Sequence, residues 1–138
     1  MKRHQLINQQ GFSLVELLVA ISILSIALLA VAGMQVVALN ANSLANGLTV
    51  ASSLAQAAME DIMSWDPNGG AFDASVSNVT YDLDPKTAAT SLTISGAGTF
   101  SATYSINTAT PGSGVVEIQV RVTGGGRNVS VTSYKRVV

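Results

Sequence analysis

The chain contains no cysteine, which excludes disulfides, a thiol nucleophile and thiolate metal ligation. Its single histidine is His4. If the first eleven residues are removed, the remainder has neither His nor Cys, and so lacks the commonest nucleophile activators and transition-metal ligands. Positive charge is also scarce, with no Lys or Arg between Arg3 and Lys86. At a net charge of −1 there is no basic patch to neutralise phosphates, which argues against nucleic-acid binding. From Leu17 to Leu39 there is no charge of either sign and no proline. What remains after that stretch is rich in Ser, Thr, Asn and Gly. The 138 residues suit one domain with an appendage.

Residues 1–11, MKRHQLINQQG, are short, polar and basic. Residues 12–39 form an apolar run of 28 residues interrupted by one carboxylate, Glu16, and one amide, Gln35. As a helix this run would extend ~42 Å, more than a ~30 Å hydrocarbon core requires. Lys2 and Arg3 precede it and no positive charge follows closely, so the positive-inside rule puts the N-terminus in the cytoplasm. Three readings compete. A secretory signal peptide would use Ala30-Val31-Ala32 as its small-residue cleavage site, but the apolar stretch exceeds the usual ~7–15 residues. A plain membrane anchor would leave Glu16 hydrated at the cytoplasmic edge. The third reading gives Glu16 a partner. A carboxylate within a membrane helix costs ~2.5–3.5 kcal/mol and usually marks function. Cutting the chain before Phe12 creates an α-amino group that is largely protonated near neutrality. It can pair with Glu16 of its own chain or of a neighbour, and a pairing between chains would fix their axial stagger.

Gly11-Phe12-Ser13-Leu14-Val15-Glu16 resembles the class III leader motif of type IV pilins and type II secretion pseudopilins. That resemblance implies cleavage between Gly11 and Phe12 by a membrane-embedded prepilin peptidase, and N-methylation of Phe12 by the same enzyme. It also implies a role for Glu16 in aligning subunits, and partners among other pilin or pseudopilin subunits and the inner-membrane assembly platform. Residues 28–35, Ala51–Gln56 and Met59–Asp61 are similar to PilV-type minor pilins and overlap the I-type minor pseudopilins. Major pilins often carry a helix-bending proline in the apolar segment; here Gly33 stands in that region, as a point of local melting or of close helix packing.

Leu44, Leu48, Ala51, Leu54 or Ala55, Ala58, Ile62 and Trp65 recur at helical spacing, which predicts that the helix continues as an amphipathic segment. Asp66-Pro67-Asn68-Gly69-Gly70 ends it. Phe12 to Trp65 would run ~80 Å if continuous. Beyond residue 70 the period becomes two: Val79, Tyr81 and Leu83; Phe100 to Ile106; Val116, Ile118, Val120 and Val122; Val129 and Val131; with Leu92-Thr93-Ile94 a short further strand. Gly124-Gly125-Gly126 reads as a hairpin turn. The expected fold is α+β, a type IV pilin fold with one face of three to five antiparallel strands against the 44–65 stripe. The expected segments are 1–11 (leader), 12–39 (membrane), 40–65 (amphipathic helix) and 66–138 (β-rich head).

No catalytic constellation, cofactor site or metal site emerges, and an enzyme is not expected. The three glycines are followed by neither a helix nor a Lys-Ser/Thr pair, so a phosphate loop is disfavoured. Asp82 and Asp84, with Asp73, read as a solvated edge before Pro85 in preference to a calcium site. Glu60 and Asp61 diverge by about 100° on a helix and read as a solvated helix end. Asn78-Val79-Thr80 and Asn128-Val129-Ser130 match a glycosylation acceptor, a weak signal. Trp65 and Tyr81 read as core or interface aromatics. The sequence thus points to a structural subunit: a minor type IV pilin of the inner membrane and then the pilus, with a type II secretion pseudopilin, or a binding module on a pilin stalk, as alternatives.

Overall fold

The computed structural model describes residues 11–87 and 90–137. The chain divides into two compact units, Met1–Leu39 and Asn40–Val138. Helix α1 (Leu14–Ser64) contributes to both.

In the first unit every described residue is exposed, including Leu14, Leu18, Ile26, Leu29 and Met34. A helix apolar all round suits lipid or other helices rather than water. The 26 residues Leu14–Leu39 would extend ~39 Å, enough to cross a hydrocarbon core, and the helix meets the hydropathy and charge criteria for a membrane span. Its internal hydroxyls are satisfied within the helix: Ser22 Oγ donates to Leu18 O at 2.8 Å and Ser25 Oγ to Ile21 O at 2.7 Å.

In the second unit, α1 packs on a five-stranded antiparallel sheet of β1 (Val76–Tyr81), β2 (Ser91–Ile94), β3 (Gly98–Gly112), β4 (Val115–Gly124) and β5 (Arg127–Arg136). The order is β1-β3-β4-β5, with β2 also on β3. The fold is therefore the α+β arrangement expected from the sequence, a long helix packed on an antiparallel sheet. Alternation sorts β4: Val116, Ile118, Val120 and Val122 are buried, while Glu117, Gln119 and Arg121 occupy the other face. Phe100, Ala102 and Ile106 of β3 and Phe72 join them against Ala51, Ala55, Ala58, Met59 and Ile62 of the helix. Each fully buried large side chain, such as Ile62, Phe100 or Ile118, contributes ~1.5–3 kcal/mol relative to exposure.

Two expectations about the stripe need correction. Leu44 and Leu48 are 41% and 46% exposed, and the first buried helical residue is Gly47. The helix meets the sheet at its glycine turns. A Cβ on Gly47 would stand 3.5 Å from Gly125 O and 3.7 Å from Ala97 O, so the backbones are already in near contact. Leu44 lies almost one turn before this contact, and Leu48 is rotated about 100° away from Gly47. The helix also starts at Leu14 and stops at Ser64, slightly inside the expected limits.

β4 and β5 are joined by the two-residue turn Gly125-Gly126, with φ of 57° and 75°. Positive φ at both positions is the type I′ geometry that matches strand twist and favours glycine. Gly124 is required for space instead: a Cβ there would collide with Thr99 O and the Phe100 ring. Pairing of β1 with β3 is interrupted by a bulge between Val76 and Val79. Asn78 adopts φ 52° within it, its N–H donating to Ser105 Oγ at 3.0 Å.

Candidate functional site

Of the residues singled out by sequence, Gly11, Phe12 and Glu16 lie at the start of α1. Gly11, Phe12 and Ser13 are not helical, and the helix begins at Leu14. Phe12 is 84% exposed. Ser13 is the N-cap: its Oγ accepts the Val15 N–H at 3.3 Å, and its carbonyl accepts the Leu17 N–H at 3.2 Å. Glu16 is exposed at the third helical position, where a carboxylate opposes the positive end of the helix dipole. The pattern Ser13-x-x-Glu16 is thus a capping-box sequence. That spacing is visible in the sequence, although Ser13 carries no role there beyond its place in the leader motif. Gly33 lies in open space: a Cβ added to it would have no neighbour within 4 Å, so its own chain does not require glycine there. Lys2 and Arg3 lie outside the described residues.

Other candidates resolve into structural roles. Asp61 accepts from Tyr81 Oη at 2.9 Å and from Trp65 Nε1 at 3.2 Å. It is thus a clamp between the helix end and β1 rather than a merely solvated carboxylate. Burial, the hydrogen bond to Asp61, and the charges of Asp61 and Asp82 push the Tyr81 phenol up to about 12. Trp65 stands edge-on to Tyr104 at 5.5 Å. Asp82 and Asp84 are engaged in local turns: Asp82 Oδ1 accepts the Asp84 N–H, and Asp84 accepts the Lys86 N–H and Thr87 Oγ1. Among the described residues no three His, Cys, Asp or Glu gather as a metal site. The acceptor-motif residues Asn78 and Asn128 are exposed on β1 and β5.

Lys135 is a second feature that sequence reading missed. It is 8% exposed, donates from Nζ to Met63 O at 2.8 Å and to Trp65 O, and lies 4.6 Å from the centre of the Phe72 ring. It caps the C-terminal end of α1, whose last turn has no basic residue of its own. The available signal was strand parity, since Val129, Val131 and Lys135 share the inward face of β5.

Residues 6–32 match the family model of the prokaryotic N-terminal methylation motif. The chain carries this motif at its N-terminus. The matched span contains Gly11, Phe12, Ser13, Glu16 and most of the exposed apolar helix. This motif, together with the apolar helix, supports a type IV pilin-like chain with processing by a prepilin peptidase, membrane anchoring and assembly with other pilins. No curated protein and no solved structure gives a significant match.

Proposed function

We propose that the chain is a minor type IV pilin, made as a prepilin and assembled from the inner membrane. Its segments are a leader (1–11), a membrane and assembly helix (12–39), an amphipathic helix (40–65) and a β-rich head (66–138). A prepilin peptidase cuts between Gly11 and Phe12 and methylates Phe12. Lys2 and Arg3 hold the leader in the cytoplasm, and the head faces the periplasm. The observation that carries this reading is the methylation motif, with Gly11–Phe12 outside the helix and Glu16 in its first turn.

Glu16 is compatible with an apolar helix bundle when the new N-terminal ammonium neutralises it, within the chain or between neighbours. Gly33 offers an open site for close packing of a neighbouring helix. The minor role rests on the similarity of residues 28–35, Ala51–Gln56 and Met59–Asp61 to PilV-type subunits. The same residues resemble I-type minor pseudopilins, which makes a secretion pseudopilus the second reading. Mass spectrometry of the processed chain tests the proposal: a start at methylated Phe12 is expected. A start at Gly33, left by signal-peptide cleavage after Ala32, would overturn it. Co-purification with sheared surface pili, rather than with secretion components, separates the two filament readings.

A further inference from the structure

We infer that Ser13 is a positioning residue for leader cleavage: its side chain keeps the scissile carbonyl, Gly11 C=O, out of the helix. The inference rests on the proposed cut between Gly11 and Phe12. In a continuous α-helix the N–H of residue i bonds to the carbonyl of residue i−4, so the helical acceptor for Val15 N–H is Gly11 O. In the structure Val15 N–H donates to Ser13 Oγ instead, at 3.3 Å. The first turn then closes further on, through Leu17 N–H to Ser13 O at 3.2 Å. Gly11 and Phe12 stay non-helical and exposed.

The consequence is chemical. Hydrolysis adds water across the Gly11–Phe12 bond: the water oxygen joins the Gly11 carbonyl carbon, the C–N bond breaks, and Phe12 leaves as an amine that takes up a proton. Attack requires the carbonyl to be approachable and polarised by the enzyme. A carbonyl already accepting a helical hydrogen bond, with its carbon enclosed in the first turn, meets neither need. At a membrane boundary the competition is sharper, because an unsatisfied Val15 N–H has little water to turn to and draws the helix back onto Gly11. Ser13 satisfies that N–H locally. An alanine there removes the cap and is itself the best helix former, and glycine is an acceptable N-cap, so the helix start would retreat to Gly11.

The test uses the full-length chain with its prepilin peptidase in membranes, following cleavage by pulse-chase and intact mass. Ser13→Ala is expected to be cut about fivefold more slowly than wild type, the order of effect of losing an N-cap. Ser13→Asn, which supplies a capping oxygen without a hydroxyl, is expected to stay within about twofold. The peptide bond can be watched directly. Gly-Phe occurs once in the chain, so carbonyl-¹³C glycine with ¹⁵N phenylalanine lights up Gly11–Phe12 alone. In uncut chain in lipid nanodiscs, Ser13→Ala should move the Gly11 carbonyl to a hydrogen-bonded helical shift, and Ser13→Asn should not. Equal cleavage of wild type and Ser13→Ala, or faster cleavage of the latter, would overturn the inference and leave the processing reading standing. Equal slowing by alanine and asparagine would also overturn it, assigning the hydroxyl to direct recognition by the peptidase. Absence of any cut at Gly11–Phe12 in wild type would overturn the processing reading and this inference with it.

Discussion

Replacing Lys135 by methionine tests how the C-terminal end of α1 is held to the sheet. Methionine keeps much of the length and apolar bulk of the lysine stem, so the change removes chiefly the ammonium. That group donates to Met63 O and Trp65 O and stands over Phe72. Hydrogen bonds to a charged partner are worth ~1.5–3 kcal/mol each, and a largely desolvated cation–π contact ~2 kcal/mol. Against this, the variant no longer desolvates an ammonium, which recovers several kcal/mol. The carbonyls left behind are at a helix end and regain only part of their lost bonding from water. The balance is a destabilisation of ~2 kcal/mol.

The assay is urea unfolding of the full chain in detergent, read by the fluorescence of Trp65, the single tryptophan. Its backbone carbonyl is one of the two acceptors, so it reports on the clamp itself. With m of about 1–2 kcal/mol/M for a small domain, the midpoint should fall by about 1–2 M urea. A midpoint within about 0.3 M of wild type would refute the reasoning, because desolvation would then have cancelled everything the ammonium contributes.

Further outcomes are expected elsewhere in the molecule. Gly124→Ala should destabilise the head by ~3 kcal/mol through overpacking against Phe100, whereas Gly126→Ala, at φ 75° but in open space, should cost only ~1–2 kcal/mol; paired thermal melts measure both. Tyr81 has a folded-state value raised to about 12, above the ordinary ~10 of the unfolded chain. Its contribution to stability is therefore fully present below pH ~10 and is lost as the pH rises towards 12. Ultraviolet titration of the phenols should show one late component that Tyr81→Phe removes. Glu16→Ala should leave cleavage after Gly11 intact while depleting the subunit from sheared filaments; normal incorporation would refute the pairing of Glu16 with an N-terminal amine.

How legible a feature was in the sequence follows from how local its cause is. The alternation Val116, Ile118, Val120, Val122 predicts β4 because each side chain reports its own face of the sheet. The glycine run before Arg127 predicts a hairpin because the turn demands positive φ at two successive residues. The error at Leu44 and Leu48 has the opposite character. Helical periodicity identifies a face, but how far the sheet extends beneath it depends on where β2, β3 and β5 place their turns, which no residue of the helix encodes. Lys135 and Asp61 were hidden for the same reason, since their partners lie 70 and 20 residues away in the chain. In the first unit the situation reverses. An all-apolar helix has no buried face to read, so periodicity carries nothing there, and the information is concentrated in Gly11 to Glu16. Those residues define a non-helical bond, a cap and a charge by contacts that span no more than four positions. A short motif is legible in a lone sequence when its physics is this local. The same locality makes the proposed roles of Ser13 and Glu16 separable by experiment: the first concerns the carbonyl before cleavage, the second the amine that cleavage would create.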